Sequence, residues 1–203
     1  MLDANVAMEA LERAAEEMER RYALMEKVRM SNITAYNGAC LERLRRRVLV
    51  IDEYADMMMG SKSREALEYF AQRICQQGRV AGIHLILATR RPDAKVVTGV
   101  IKANLQLRVA PQVTSQSNSQ IILGEGIEEA QHLLGHGDVL VGGGASPRSA
   151  CKPPWPHWPF GSGILSPTCV IIVNQCQQLT AVGSFLRKIF AVYIRFSASY
   201  FCL

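Results

Sequence analysis

Asp52 and Glu53 follow four consecutive aliphatic residues in the stretch VLVIDEYAD, residues 48–56. A carboxylate pair beside an apolar strand is costly to hold unless something positive meets it. Mg²⁺ on a nucleoside triphosphate is the usual partner: an Asp holds the metal through water and a Glu orients the attacking water. A strand that ends in a solvated acidic turn would read the same over so few residues. A second stretch, IHLILATRRP at 83–92, runs from Ile83 to Leu87 and then through Ala88, Thr89, two arginines and Pro92. In a nucleotide-hydrolysing sheet, the strand beside the metal strand commonly ends in a polar residue that senses the terminal phosphate. Thr89 has that position, with an ordinary loop as the plainer alternative.

The elements around these residues must bring them together. Both runs read as buried strands of a parallel sheet, being continuous, aliphatic and bounded by charge. Open α/β sheets bind ligands at the carboxyl ends of such strands. A helix over about Ser63 to Gln77 connects them, with Ala66, Leu67, Phe70 and Ile74 toward the sheet and Gly78 ending it. The first 30 residues predict an amphipathic helix. Ala4, Met8, Leu11, Ala15, Met18, Tyr22 and Met25 form its apolar stripe, while Glu12, Glu16 and Glu19 alternate with Arg13, Arg20 and Arg21 on the other faces. Asp3 is the expected N-cap, and Asn32 and Asn37 lie in the loop that ends the helix. Residues 96–103 predict a short helix or turn ahead of a third strand, Leu105 to Val113. A further short helix around Ile127 to Leu134 precedes a last strand, Val139 to Val141. This order implies an α/β fold, a mostly parallel sheet with flanking helices. Right-handed crossovers then carry Asp52, Glu53 and Thr89 to one edge of the sheet.

Charge and composition bound the remaining readings. The net charge is +5, yet 19 Lys and Arg face 18 acids before residue 149, and the acid-free remainder carries the other four basic residues. Net charge is therefore no argument for nucleic acid. A local cluster is: Arg90, Arg91, Lys95, Lys102 and Arg108 follow the second strand, where contacts to phosphate would be indifferent to sequence and sensitive to salt. No C-x-x-C pair occurs among the six cysteines, and the four histidines complete no zinc site. His84 is expected as a hydrogen-bonded core residue, with His132 and His136 at the surface. With no secretory signal, reduced thiols and a cytoplasmic location are the expectation. Residues 164–186 are long and uncharged, but Pro167, Asn174, Gln175, Gln177 and Gln178 suit them poorly to hydrocarbon.

Both tryptophans and four of the six cysteines fall after residue 147, in and beyond the Pro-rich SACKPPWPHWPFGSG. The expected division is residues 1–146 as one domain and 147–203 as an extension. In the extension, ILSPTCVIIVNQ and FLRKIFAVYIRF are expected strands or a helix. Its loss of acids and gain of Trp, Cys and Pro fit a shifted reading frame or foreign junction, with a genuine accessory segment as the alternative. The first origin predicts that residues 149–203 do not pack cooperatively on the sheet, and the second that they do.

From Glu17 to Val141 the chain resembles the motor domain of the FtsK/SpoIIIE family, in the HerA/FtsK branch of RecA-like ATPases. The matching stretches are EMERRYALM (17–25), NITAYN (32–37), VLVIDEYADMMM (48–59), GRVAGIHLILATRRP (78–92), VTGVIKANLQLRVA (97–110) and LLGHGDVL (133–140), in family order. The resemblance implies a RecA-like fold and an ATP-driven hexameric ring that threads double-stranded DNA, in chromosome partition at cell division, sporulation or DNA transfer. It makes VLVIDE the Walker B strand, with Asp52 on Mg²⁺ through water and Glu53 and Thr89 at the ATP. An arginine from a neighbouring subunit would complete the site, with Arg73, Arg79 and Lys102 as candidates. Lys102 is also a candidate for the nucleotide, and Arg91, Lys95, Lys102 and Arg108 for DNA. Two features depart from the family. The phosphate-cradling G-x-x-x-x-G-K-[ST] is absent, the glycine-rich VGGGAS at 141–146 having no Lys-Ser or Lys-Thr after it. Arg90 stands where the family commonly has Gln. The expectation is thus the C-terminal half of a motor, a fragment inactive alone; the alternative is a non-catalytic paralogue that serves as a ring subunit or DNA-interaction module. The family's membrane anchor, where present, would lie far N-terminal of these residues.

Overall fold

The computed structural model describes residues 4–59, 64–105, 107–134, 138–142, 149–151 and 170–173. The first helix, α1, spans Ala4–Lys27. Ala7, Leu11, Ala14, Ala15, Met18 and Met25 are its buried stripe, while Met8 and Tyr22 are half-buried. Asp3, expected as the N-cap, lies outside the described residues. The sequence reading put Arg21 on a polar face, and there it is corrected. Arg21 is only 2% exposed. Its Nε donates to Glu17 Oε1 at 2.8 Å, one Nη to the Ala81 carbonyl at 2.8 Å and the other to the Arg45 carbonyl at 2.8 Å. A guanidinium has its donors in a rigid fork, so one buried Arg binds three separate parts of the chain.

The stretch after α1 folds more fully than expected. Asn32 does not sit in a loop but caps α2 (Ile33–Ala39), its Oδ1 accepting from the amides of Thr34 and Ala35. Asn37, inside α2, donates to and accepts from the backbone of Leu44, which steers the chain into β1 (Arg47–Ile51). A short α3 (Tyr54–Met58), also unexpected, follows the acidic pair. The connecting helix α4 covers Arg64–Ala81 and leads to β2 (Ile83–Thr89). Gly78 does not end it. A Cβ there would stand 2.6 Å from the Ile83 carbonyl oxygen, so Gly78 is where α4 lies closest to β2. The helix stops at Gly82, whose φ of +71° suits only glycine comfortably.

Thr98 caps α5 (Gly99–Asn104), within the stretch expected to be a short helix or turn. Next come β3 (Leu107–Pro111) and α6 (Gln116–Leu123), the latter capped by Ser115 and missed in the sequence. The helix expected at 127–134 is only a 3₁₀ turn, Glu129–His132. Strand β4 (Val139–Gly142) falls where the last strand was expected, and β5 (Ser149–Cys151) and β6 (Val170–Val173) complete the order. Both β5 and β6 lie past the expected division at residue 146, and both are hydrogen-bonded into the one sheet. The stretch 185–196, the other expected strand or helix of the extension, lies outside the described residues, as do His136 and the Pro-rich segment beyond Cys151.

The fold class is α/β, with sheet order β1-β2-β6-β3-β4-β5. Strands β1 and β2 pair in parallel, and β3 shares their direction because both β2 and β3 are antiparallel to β6. Strand β4 is antiparallel to β3, and β5 to β4. Strand β2 is buried on both faces, as its continuous aliphatic run requires. Strand β1 is not. It is an edge, with Val48 51% and Val50 37% exposed and only Ile51 buried. An aliphatic run cannot tell an edge from a centre, because burial of its outer face depends on what pairs beside it.

Glu17 is drawn down to about 2 from its ordinary value of 4.5, chiefly by the hydrogen bonds from Arg20, then those from Arg21 and the nearby charge of Arg47. A carboxylate lowered in the folded state adds stability above its unfolded value and loses it as the pH falls from about 4.5 toward about 2. Stability measured across that window should fall more steeply in the parent chain than in Glu17→Gln. Arg21→Met, which leaves the Ala81 and Arg45 carbonyls without their donor and Glu17 with only Arg20 and the nearby Arg47, should cost about 3–5 kcal/mol in denaturant unfolding. The double change Glu17→Leu with Arg21→Met should recover part of that loss.

Candidate functional site

The parallel register pairs Ile51 with Leu87, so the residues that follow each strand emerge side by side. Asp52 and Glu53 leave β1 beside the Thr89–Arg91 end of β2. Asp52 Oδ1 accepts the Glu53 amide at 2.9 Å, turning the chain sharply at the strand end. Glu53 itself has φ 56° and ψ 49°, the left-handed region, which is strained for a residue with a Cβ. That backbone geometry aims its carboxylate across to β2. Glu53 Oε1 accepts the Arg90 backbone N–H at 3.3 Å, and Oε2 lies 3.4 Å from Arg90 Nε. Thr89 is only 2% exposed, and its Oγ1 accepts the Arg91 amide at 3.1 Å. The Arg91 guanidinium reaches Met59 Sδ at 3.5 Å, next to α3. Asp52, Glu53 and Thr89 therefore meet at one sheet edge, as the crossover argument required. Arg90 was singled out in the sequence as part of a basic cluster and as a departure from the family, but its pairing with Glu53 was not anticipated.

The other candidates are dispersed. Arg73 is bonded to Glu19 of α1 at 2.6 Å, bracing one helix against the other. Arg79 is exposed in the last turn of α4, before β2 begins. The seven residues of β2 separate it from Thr89 by roughly 20 Å, at the opposite sheet edge. Lys102 is half-buried in the last turn of α5. That helix is fastened to α4 by Thr98, whose side chain caps α5 and bonds Glu68.

The basic cluster is smaller than its sequence. Arg108 lies half-buried in β3, between β6 and β4, with its Nε making no hydrogen bond, and burial pushes its guanidinium below the ordinary range. It belongs to the sheet, not to an exposed basic face. Arg90 is paired with Glu53. Arg91 and Lys95 remain exposed, on a loop where Asp93 Oδ1 accepts the amides of Lys95 and Val96.

His84 departs from expectation too. It is half-buried with Nδ1 unbonded, and burial together with Arg46 holds its imidazole below the usual range. His132 is exposed as expected. Burial pushes the Cys75 thiol up to about 12, so it behaves as an inert core side chain. Among the described residues, no group of three His, Cys, Asp or Glu side chains is placed to hold a metal by itself. None of the described helices is long and apolar enough to cross a membrane.

This arrangement, acidic residues and a buried threonine at the ends of adjacent parallel strands, sits on the fold of a RecA-like ATPase domain. The pCW3 conjugation coupling protein TcpA, solved in a monomer form with ATPγS, matches with a TM-score of 0.65 at 28% identity, covering 74% of this chain and 45% of that one. The cytoplasmic domain of the Thermomonospora curvata type VII secretion ATPase EccC shares the fold, with a TM-score of 0.58 at 20% identity, over 75% of this chain and 18% of that one. Residues 38–94 match the FtsK/SpoIIIE family. The chain is 44% identical over 140 residues to the DNA translocase FtsK of Treponema pallidum (strain Nichols), covering 66% of this chain and 17% of that protein. To the DNA translocase SpoIIIE of Bacillus subtilis (strain 168) it is 43% identical over 148 residues, covering 68% and 18%. It spans less than a fifth of the length of these two relatives. The chain belongs to the FtsK/SpoIIIE family.

The strain at Glu53 has a measurable consequence. Glu53→Ala removes the carboxylate but keeps a Cβ in the left-handed region; Glu53→Gly removes both. The glycine variant should be the more stable of the two by about 1 kcal/mol in denaturant unfolding. Equal stability would mean that Glu53 leaves this conformation once its carboxylate is gone.

Proposed function

We propose that this chain is a portion of an ATP-dependent double-stranded DNA translocase, carrying the carboxylates that handle metal and water and inactive in ATP hydrolysis by itself. The observation that carries the reading is the juxtaposition of Asp52, Glu53 and Thr89 across the parallel β1–β2 pair, within the stretch of family sequence. A carboxylate with waters and phosphate oxygens is an ordinary donor set for Mg²⁺, and Asp52 fits that need without an all-protein cage. When bound with ATP, the metal would neutralise charge developing on the phosphates. Glu53 orients the attacking water, and Thr89, fixed by burial, offers its hydroxyl to the terminal phosphate. Its Oγ1 already accepts from the Arg91 amide, which leaves the hydroxyl proton free to donate.

In a ring, an arginine donated across the subunit boundary would stabilise the transferring phosphate. Arg79 suits that role better than Arg73, because it is exposed and too far away to act within its own chain, whereas Arg73 is held by Glu19. Lys102 remains a candidate for either the nucleotide or DNA. Arg91 and Lys95, on the loop leaving β2, would meet DNA phosphates. The family's hexameric ring and its work in chromosome partition or DNA transfer are part of this proposal.

Phosphate release by the 203-residue chain should be undetectable, because no phosphate loop is present in its sequence. Turnover abolished by Glu53→Gln would overturn that part of the reading. A chimera in which residues 4–142 replace the matching stretch of the Treponema FtsK motor should hydrolyse ATP with DNA stimulation. Glu53→Gln should lower its kcat by at least about 100-fold. If the chimera binds ATP and DNA yet never turns over, the alternative holds: a non-catalytic ring subunit or DNA-interaction module.

For DNA, the isolated chain should bind duplex weakly and without sequence preference, since only a few contacts are present and none is multiplied by a ring. In the chimera, changing Arg91, Lys95 and Lys102 together to Ala should reduce the slope of log K against log salt by up to about 3 and uncouple DNA from turnover. Full DNA stimulation after the triple change would move the DNA path elsewhere.

A further inference from the structure

We propose that Arg90 is a positioning residue for Glu53, an ion-pair latch that a phosphate oxyanion at the strand ends releases. The proposal rests on the reading of Glu53 as the carboxylate that orients water. Three observations lead to it. First, Glu53 is held from both parts of Arg90, its Oε1 by the backbone N–H at 3.3 Å and its Oε2 near the guanidinium at 3.4 Å. Secondly, the backbone of Glu53 is in the left-handed region, so the side chain is directed at β2 by a strained turn whose amide is fixed by Asp52. Thirdly, the latch is soft. The Arg90 side chain is 58% exposed, Glu53 is 28% exposed, and exposed pairs of this kind add little stability.

The balance of charge decides which way such a latch moves. A guanidinium binds phosphate oxygens in the same bidentate manner as a carboxylate, and a phosphate group brings more negative charge. An oxyanion arriving between β1 and β2 would therefore draw Arg90 from Glu53. The carboxylate would keep its backbone aim but lose its side-chain partner, and so become available to a water. Arg90 begins the loop that continues through Arg91 to Lys95, so the same side chain links the position of that loop to the carboxylate.

The test uses the full chain with inorganic pyrophosphate as the probe and needs no turnover. The Arg90 Nε–H and amide resonances, and the Glu53 side-chain carboxyl carbon, would be followed by NMR. Glu53→Gln should shift both Arg90 resonances. Millimolar pyrophosphate should move the Arg90 Nε–H and the Glu53 carboxyl signal along one isotherm. Arg90→Gln, which installs the residue common in the family, should abolish the Glu53 response and weaken pyrophosphate binding about tenfold. Arg90→Lys should retain part of the response, and neither variant should change the denaturation midpoint. The latch is excluded if the Arg90 resonances ignore Glu53→Gln or if pyrophosphate does not bind. An equal Glu53 response in Arg90→Gln excludes it as well. Because these signals are read without hydrolysis, the latch can fail while the role of Glu53 in ATP turnover stands. The converse result, a chimera indifferent to Glu53→Gln, would remove that role and leave the ion pair as observed.

Discussion

The Arg21 guanidinium is the fastening on which the rest of the sheet edge depends. It joins α1 to the last carbonyl of α4, at Ala81, and to the approach to β1, at Arg45. Helix ends leave carbonyls without internal partners, and a buried one must find a donor. Meeting that need with a charge brings a second requirement, which Glu17 supplies from one turn away. The consequence travels along the chain. With Ala81 and Gly82 fixed, the Gly82 carbonyl accepts the Arg47 amide at 2.9 Å, and the parallel register begins with Arg47 opposite Ile83. A slip of one residue would reverse the face of every side chain on β1. The placement of Asp52 and Glu53 beside Thr89 is thus decided at the far end of the strands, by a buried arginine on another helix.

Two of the carboxylate–arginine pairs in this fold, Glu17–Arg21 and Glu53–Arg90, do opposite work. Glu17 and Arg21 are mostly out of water, closely bonded and surrounded by further donors and acceptors, so their geometry is stiff. Glu53 and Arg90 face solvent at longer range, and their pairing is easily exchanged. A motor site of the kind proposed above would need both. The scaffold must hold strand ends to within a fraction of an ångström, while the groups that answer to a nucleotide must be able to change partners. The left-handed Glu53 shows how these demands meet: the rigid register fixes where the turn occurs, and the strain in the turn fixes where the carboxylate points.

The family match over residues 38–94 runs from the end of α2 through the loop after β2, which is the part that builds this carboxylate site. The basic residues behave less uniformly than their clustering in sequence implies. Arg73 is absorbed into an α1–α4 contact, Arg90 into the site and Arg108 into the sheet. Arg91 and Lys95 of the loop keep the exposure that a phosphate contact requires, Arg90 is exposed but paired with Glu53, and Lys102 is half-covered. Charge along a chain becomes a surface only after burial and pairing have taken their share.

The sequence by itself determined the elements whose periodicity is long or whose apolar run is continuous: α1, α4, β2 and the start of the site at Asp52 and Thr89. It also carried the family, because VLVIDEYADMMM and GRVAGIHLILATRRP are specific in kind and order. Tertiary structure decided what local pattern leaves open. An aliphatic run reads alike at a sheet's edge and at its centre, so the exposure of Val48 and Val50 depended on the neighbours of β1. The short α2, α3 and α6 carry too few residues for a periodic signal, and their formation rests on caps and packing. Gly78 could have ended a helix or let one approach a strand, and only the position of Ile83 chose between them. Arg21 differs in sequence from no other arginine of α1. Its burial follows from two carbonyls that the fold brings to it from residues 45 and 81, and no local pattern contains them.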